Sequence, residues 1–178
     1  MVPVISFVGI SNSGKTTLIK KVIAYLKQKG YRVGAIKNDA HRFDIDHKGK
    51  DSWEMTAAGA DTVVVSSQDK LAMIKILNEE PKINEIVDCL FQDVDIVIIE
   101  GCKKSNYPKI EIYRFNSPIT PIENNLIALV NNVPEGESIA LPDEYAQINI
   151  FHFADYMKIS EFVEREICSQ SGSINVNR

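Results

Sequence analysis

Short apolar runs, each stopped by glycine or a polar cluster, alternate along the chain with longer stretches whose apolar residues recur every three or four positions. Val4–Val8 is such a run, ending at Gly9, and has the pattern of a strand buried on both faces. In Lys15–Lys29, Leu18, Ile19, Val22, Ile23 and Leu26 fall at helical spacing, while Lys20, Lys21, Lys27 and Lys29 lie mainly off that stripe. Gly30 supplies the stop. Arg32–Ile36 predicts a second strand. Ser52 is placed to cap a short helix through Ala58, closed by Gly59. Thr62–Ser66 is β-branched and strand-like, and Lys70–Leu77 predicts a further strand, with a hairpin between them as one reading. Ile83, Ile86, Val87, Leu90 and Phe91 trace one face of a helix. Asp95–Glu100 is the strongest strand signal of the second half, followed at once by Gly101.

Ile110 and Ile112 alternate with Lys109, Glu111 and Tyr113, so Lys109–Arg114 is expected to be an edge or antiparallel strand. Leu126–Val130 and Ile148–Phe151 are further strands, and Asp155–Ser169 is a closing helix. Strands interleaved with helices predict an α/β layer fold with a mainly parallel sheet. With the loop described below, this is a P-loop NTPase-like three-layer sandwich, antiparallel strands being confined to its edges.

The length of 178 residues implies one domain, here residues 1–169 followed by a polar tail at 170–178. A chain of this size buries roughly 70% of its unfolded surface and needs no disulfide or structural metal. The formal charge of −4 provides no bulk basic field, which argues against nucleic acid as a partner. Cys89, Cys102 and Cys168 share no CxxC spacing and read as reduced thiols. The amino-terminal residues lack the charged region of a signal peptide, and no apolar run is long enough to span a membrane. The expected location is cytoplasmic.

Gly9-Ile10-Ser11-Asn12-Ser13-Gly14-Lys15-Thr16 fits G-x-x-x-x-G-K-[ST]. Glycines let the backbone curl so that successive N–H groups point inward as an anion nest. The helix that follows adds its free N–H groups and the positive end of its dipole. Lys15 would bring a cation to the β and γ phosphates, and the Thr16 hydroxyl would join a Mg²⁺ shell. Thr17 completes the motif's reach into the helix. A strand must precede such a loop and a helix must follow it, and both are predicted here.

A carboxylate at the end of a buried strand usually holds the metal-bound water in such folds. Glu100 is the candidate, with a metal-linked or water-polarising role, because α/β sheets bind ligands at the carboxyl ends of their strands. The stretch from Lys37 to Ser52 is polar and long for a connection. Lys37 and Lys50 are candidate anion contacts there, and Asp39, Asp46 and Asp51 are candidate metal contacts. His41 and His47 lack the cysteine partner that would make a zinc set. A solvated, mixed-charge loop is the alternative reading of the same residues.

Taken together, these residues resemble the molybdopterin-guanine dinucleotide biosynthesis protein B (MobB) family. The likeness is carried by the P-loop from Gly9 to Leu18, by Lys37, His41 and Phe43–Asp46, and by Gly49-Lys50-Asp51-Ser52-Trp53 with Ala58–Ala60. It continues in Val97–Gly101, Lys103 and Pro108–Glu111. Asn38 and Lys48 depart from the pattern, where the family often has His and Pro. The resemblance implies a GTP-binding homodimer with weak hydrolysis. It also implies an accessory role when molybdopterin receives its guanine nucleotide, the transfer itself belonging to a partner nucleotidyltransferase.

The motif that reads guanine in many GTPases, Asn-Lys-x-Asp, is absent. Asn131 and Asn132 follow a strand and carry amides suited to a purine edge, or else form a turn before Pro134. Two other functions fit a P-loop: a small-molecule kinase, and an adaptor whose loop shape is set by bound nucleotide without turnover. The kinase is disfavoured by the scatter of the arginines, Arg32, Arg42, Arg114, Arg165 and Arg178, which form no phosphoryl-clamping lid.

Overall fold

The computed structural model describes residues 1–38, 43–117, 124–134, 137, 141, 143–145 and 147–171. Its contacts form two compact units: Met1–Asn38 with Ile83–Arg178, and Asp39–Lys82. Asp39, His41 and Arg42 of the polar stretch, and tail residues 172–178, lie outside the described residues.

The larger unit is built on a six-stranded sheet. In chain order its elements are β1 (Val4–Val8), α1 (Lys15–Gln28) and β2 (Val33–Lys37). After the smaller unit come α3 (Ile83–Leu90), β5 (Ile96–Glu100), β6 (Lys109–Arg114), β7 (Leu126–Asn132), β8 (Asn149–His152) and α4 (Tyr156–Ser171). The strands lie in the order β2-β5-β1-β6-β7-β8, and every neighbouring pair is parallel. Parallel neighbours need crossovers, and these put helices on both faces. One face buries Ile5, Phe7, Ile96, Ile98, Ile110 and Ile112 against Leu18, Val22 and Leu26 of α1 and Ile159, Phe162 and Val163 of α4. The other sets Val4, Val97 and Ile99 against Val87 of α3. The result is the three-layer arrangement expected.

Tyr25 and Tyr31 fasten the helical layer by donating to the two oxygens of Glu164 on α4, at 2.7 and 3.2 Å. The bond to Glu164 pushes the Tyr25 hydroxyl up to about 12. Helix α4 also runs two residues past the expected end, and Gln170 near its end accepts from the Val4 amide.

Lys109–Arg114 corrects the expectation of an edge or antiparallel strand. It is β6, parallel and flanked by β1 and β7, with five of its six residues buried. Its polar alternation does not face water. The Lys109 ammonium donates to the Ser105, Tyr107 and Asn124 carbonyls and to Asn124 Oδ1. Glu111 accepts from Tyr145, itself buried. A polar residue whose partners come from distant segments is compatible with an interior strand.

The smaller unit holds α2 (Asp51–Ala57), β3 (Thr62–Ser66) and β4 (Leu71–Lys75). Strands β3 and β4 pair antiparallel from Thr62↔Lys75 to Ser66↔Leu71, which is the hairpin reading of Lys70–Leu77. Ser52 does not cap α2. The cap position is Lys50, and the Ser52 hydroxyl instead donates to Asp46 at 3.0 Å.

Candidate functional site

Adjacent strands β1 and β5 send their chains in opposite directions: β1 leads toward β2 on one side and β5 to β6 on the other. In open parallel sheets a crevice forms at the carboxyl ends of such a pair. Gly9 follows β1 here and Glu100 ends β5.

The loop leaving β1 has the curl its sequence predicts. Gly9 (φ +149°), Asn12 (φ +60°) and Gly14 (φ +100°) take positive φ, and α1 starts directly after Gly14. A side chain at Gly9 would place its Cβ 2.5 Å from the Ile112 carbonyl oxygen, so the loop base lies hard against β6. The Ser13 hydroxyl is buried and has no hydrogen-bond partner among the described residues, whereas Ser11, Asn12, Thr16 and Thr17 are exposed. The first turn of α1 carries no acidic residue to neutralise the free N–H groups there. A loop with an orphaned buried donor and an uncompensated helix terminus suits an anion rich in acceptor oxygens.

Lys15 lies folded over this loop, its Nζ donating to the Gly9 and Ile10 carbonyls at 3.1 and 2.6 Å. Burial lowers its basicity, Glu100 opposes that, and the positive charges of Lys103 and Lys37 add to the lowering. Thr16 Oγ1 donates to Glu100 Oε2 at 2.8 Å. Two oxygen donors side by side, one of them a carboxylate, are the hard ligands Mg²⁺ prefers, and Mg²⁺ retains several waters, so two protein ligands suffice. The donor set therefore fits the metal. Lys37 ends β2 directly opposite Glu100 in the strand register.

The structure thus brings Gly9, Ser13, Gly14, Lys15, Thr16, Lys37 and Glu100 to one end of the sheet. Lys50 and Asp51 begin α2 in the smaller unit, where Lys50 takes an extended backbone and Asp51 opens the helix. No group of three or more His, Cys, Asp or Glu able to hold a metal occurs among the described residues. Asp95 immediately precedes β5, at the opposite end from Glu100, and pairs with Arg32 at 2.7 Å. That pairing holds its carboxyl below the usual range.

Sequence reasoning missed Phe153. Its ring packs where a Cβ on Gly14 would lie, 2.8 Å from Cε2, and its amide donates to the Asn131 carbonyl at 2.8 Å. Nothing local in the sequence signals this contact, because Phe153 stands far along the chain.

The sheet order, the glycine-curled loop and the hydroxyl–carboxylate pair beside it define a P-loop NTPase-like α/β protein. Within that class, residues 4–132 match the sequence profile of molybdopterin guanine dinucleotide synthesis protein B. The chain belongs to this MobB family. The molybdopterin-guanine dinucleotide biosynthesis adapter protein of Escherichia coli K12 is 34% identical over 150 residues, covering 80% of this chain and 86% of that one. Its Haemophilus influenzae counterpart is 35% identical over 140 residues, covering 75% and 76%. The crystal structure of Bacillus subtilis MobB superposes with a TM-score of 0.71 at 26% identity, covering 92% of this chain and 97% of that one. No helix among the described residues is long and apolar enough to cross a membrane.

Proposed function

We propose that this protein binds GTP with Mg²⁺, hydrolyses it slowly, and serves as an accessory when molybdopterin receives its guanine nucleotide from a partner nucleotidyltransferase. The observation that carries the reading is the 2.8 Å contact of Thr16 with Glu100 beside Lys15 and the loop. The N–H groups of residues 11–17 would hold the β phosphate, and Lys15 would swing from the Gly9 and Ile10 carbonyls onto the β and γ oxygens. Thr16 and Glu100 would hold Mg²⁺, which offsets the charge of the phosphate oxygens when bound. Glu100, at the end of β5, would also orient a water. Slow turnover is supported by two arginines being committed elsewhere: Arg32 pairs with Asp95, and Arg165 lies over the Phe162 ring.

The guanine preference and the pathway role rest on the family and on the adapter function named for its relatives. Asn131 and Asn132 end β7 at the same end of the sheet as the loop, a place from which amides can meet a purine edge. A homodimer is supported by the hairpin of β3 and β4, which leaves Val64, Val65, Leu71 and Met73 exposed. Competition of GTP and ATP for a fluorescent GTP analogue tests the base assignment. GTP is expected to displace the analogue at much lower concentration than ATP; equal displacement by the two would remove guanine from the account.

A further inference from the structure

We propose that Phe153 is a positioning residue of the nucleotide loop: its ring, delivered by the turn after β8, holds Gly14 in the anion-binding curl. This rests on the nucleotide-binding reading above and adds to it a residue that touches the loop rather than the nucleotide.

Gly14 is the joint between the loop and α1. It takes φ +100° at the cap position of the helix, and no side chain caps the free N–H groups there. Glycine has the widest choice of backbone conformations, so fixing this joint costs more entropy than fixing any other residue would. The Phe153 ring lies in the space that a side chain at residue 14 would fill. A Cβ there would stand 2.8 Å from Cε2 and 3.0 Å from Cζ. The glycine therefore serves twice, for its φ and for the room it gives the ring. The half-buried ring also packs against the core shared by α1, α4 and the sheet.

The turn that carries the ring is itself held at both ends. The Phe153 amide donates to the Asn131 carbonyl at 2.8 Å. His152 Nε2 donates to the Val133 carbonyl at 3.0 Å, and its Nδ1 accepts from the Ala154 amide at 3.2 Å. A carbonyl can only accept and an amide N–H only donate, so the imidazole is the neutral Nε2–H tautomer with both nitrogens used. The Asp155 amide donates to the His152 carbonyl, and the Asp155 carbonyl accepts from Ile159 in the first turn of α4. The end of β7, the start of α4 and Gly14 are thus joined through one aromatic ring. An anion site ordered in advance in this way loses less conformational freedom on binding.

The test is calorimetric titration of Mg-GTP into the wild-type protein, Phe153→Ala and Phe153→Leu, with amide hydrogen exchange of the same proteins without nucleotide. Phe153→Ala should bind GTP about tenfold more weakly, and Phe153→Leu, which keeps an apolar side chain over Gly14, should stay within about threefold of wild type. The Ser13 amide, bonded to the Ile10 carbonyl, and the Leu18 amide, bonded to the Gly14 carbonyl, report on the loop and the joint. In Phe153→Ala both should exchange about fivefold faster or more relative to the β5 amides, which read any general loss of stability. Unchanged GTP affinity in Phe153→Ala overturns the proposal. So does weakened affinity with unchanged exchange at both amides, since the ring would then act on the nucleotide directly. Faster exchange that the β5 amides match also overturns it, leaving the ring a general packing role. A wild-type protein that does not bind GTP overturns the loop reading, and this proposal falls with it.

Discussion

Thr16 Oγ1 donates to Glu100 Oε2 at 2.8 Å, joining the first turn of α1 to the end of β5 across 84 positions of sequence. A hydroxyl and a carboxylate held this close need a reason, since an exposed pair of this kind adds little to stability. The proposed Mg²⁺ site would supply one. Thr16→Val and Glu100→Gln should each lower GTP affinity about tenfold or more in Mg²⁺, yet leave the affinity in excess chelator unchanged. Titrations with and without chelator check this. Undiminished Mg²⁺ dependence in both variants would remove the pair from the site.

Gly9 is predicted to be intolerant of any side chain. Its φ of +149° is outside the range other residues favour, and a Cβ would stand 2.5 Å from the Ile112 carbonyl oxygen. The closest atom belongs to the β6 backbone, which cannot rotate out of the way, and the Ser13 hydroxyl crowds the same space at 2.9 Å. Gly9→Ala should lower unfolding stability by about 1–3 kcal/mol in a denaturant titration and abolish nucleotide binding. A variant as stable and as tightly binding as wild type would show that the loop base is looser than described.

Lys109 is satisfied by carbonyl dipoles alone, with no carboxylate among its four hydrogen-bond acceptors. Burial accordingly lowers its basicity. Lys109→Met would fill the same volume but leave these oxygens without a donor. The expected cost is about 3 kcal/mol in denaturant unfolding. A change below about 0.5 kcal/mol would mean that water replaces the ammonium freely.

Burial pushes the Glu111 carboxyl above its ordinary range, with the Tyr145 hydroxyl and Lys103 opposing. The folded protein therefore holds this proton more tightly than the unfolded chain does. Stability from Glu111 is present at acid pH and is lost as pH rises through the raised value. Glu111→Gln keeps an acceptor for Tyr145 and cannot ionise. The melting temperature of wild type minus that of the variant should fall from about pH 4 towards neutrality. A difference that stays flat across this range would contradict the assignment.

How much of this was legible in the sequence depends on how local each determinant is. The loop is written in eight consecutive residues, and β1 and β5 are mainly apolar runs, Ser6 and the terminal Glu100 apart, because both their faces are covered. The position of Glu100 is legible because a single strong strand signal ends at it. β6 reads as an edge strand because Lys109 and Glu111 look solvent-facing until Asn124 and Tyr145 are seen to satisfy them. Ser52 reads as a cap because its partner Asp46 is invisible to a pattern of helix starts. Phe153 reaches the loop only through the folding of a distant segment.

The most direct test of the central claim is calorimetric titration of Mg-GTP into the wild-type protein and into Lys15→Ala. Saturable binding at one site per chain in wild type, lost in the variant, is the result expected. Absence of binding in wild type, or equal affinity in Lys15→Ala, would contradict the account.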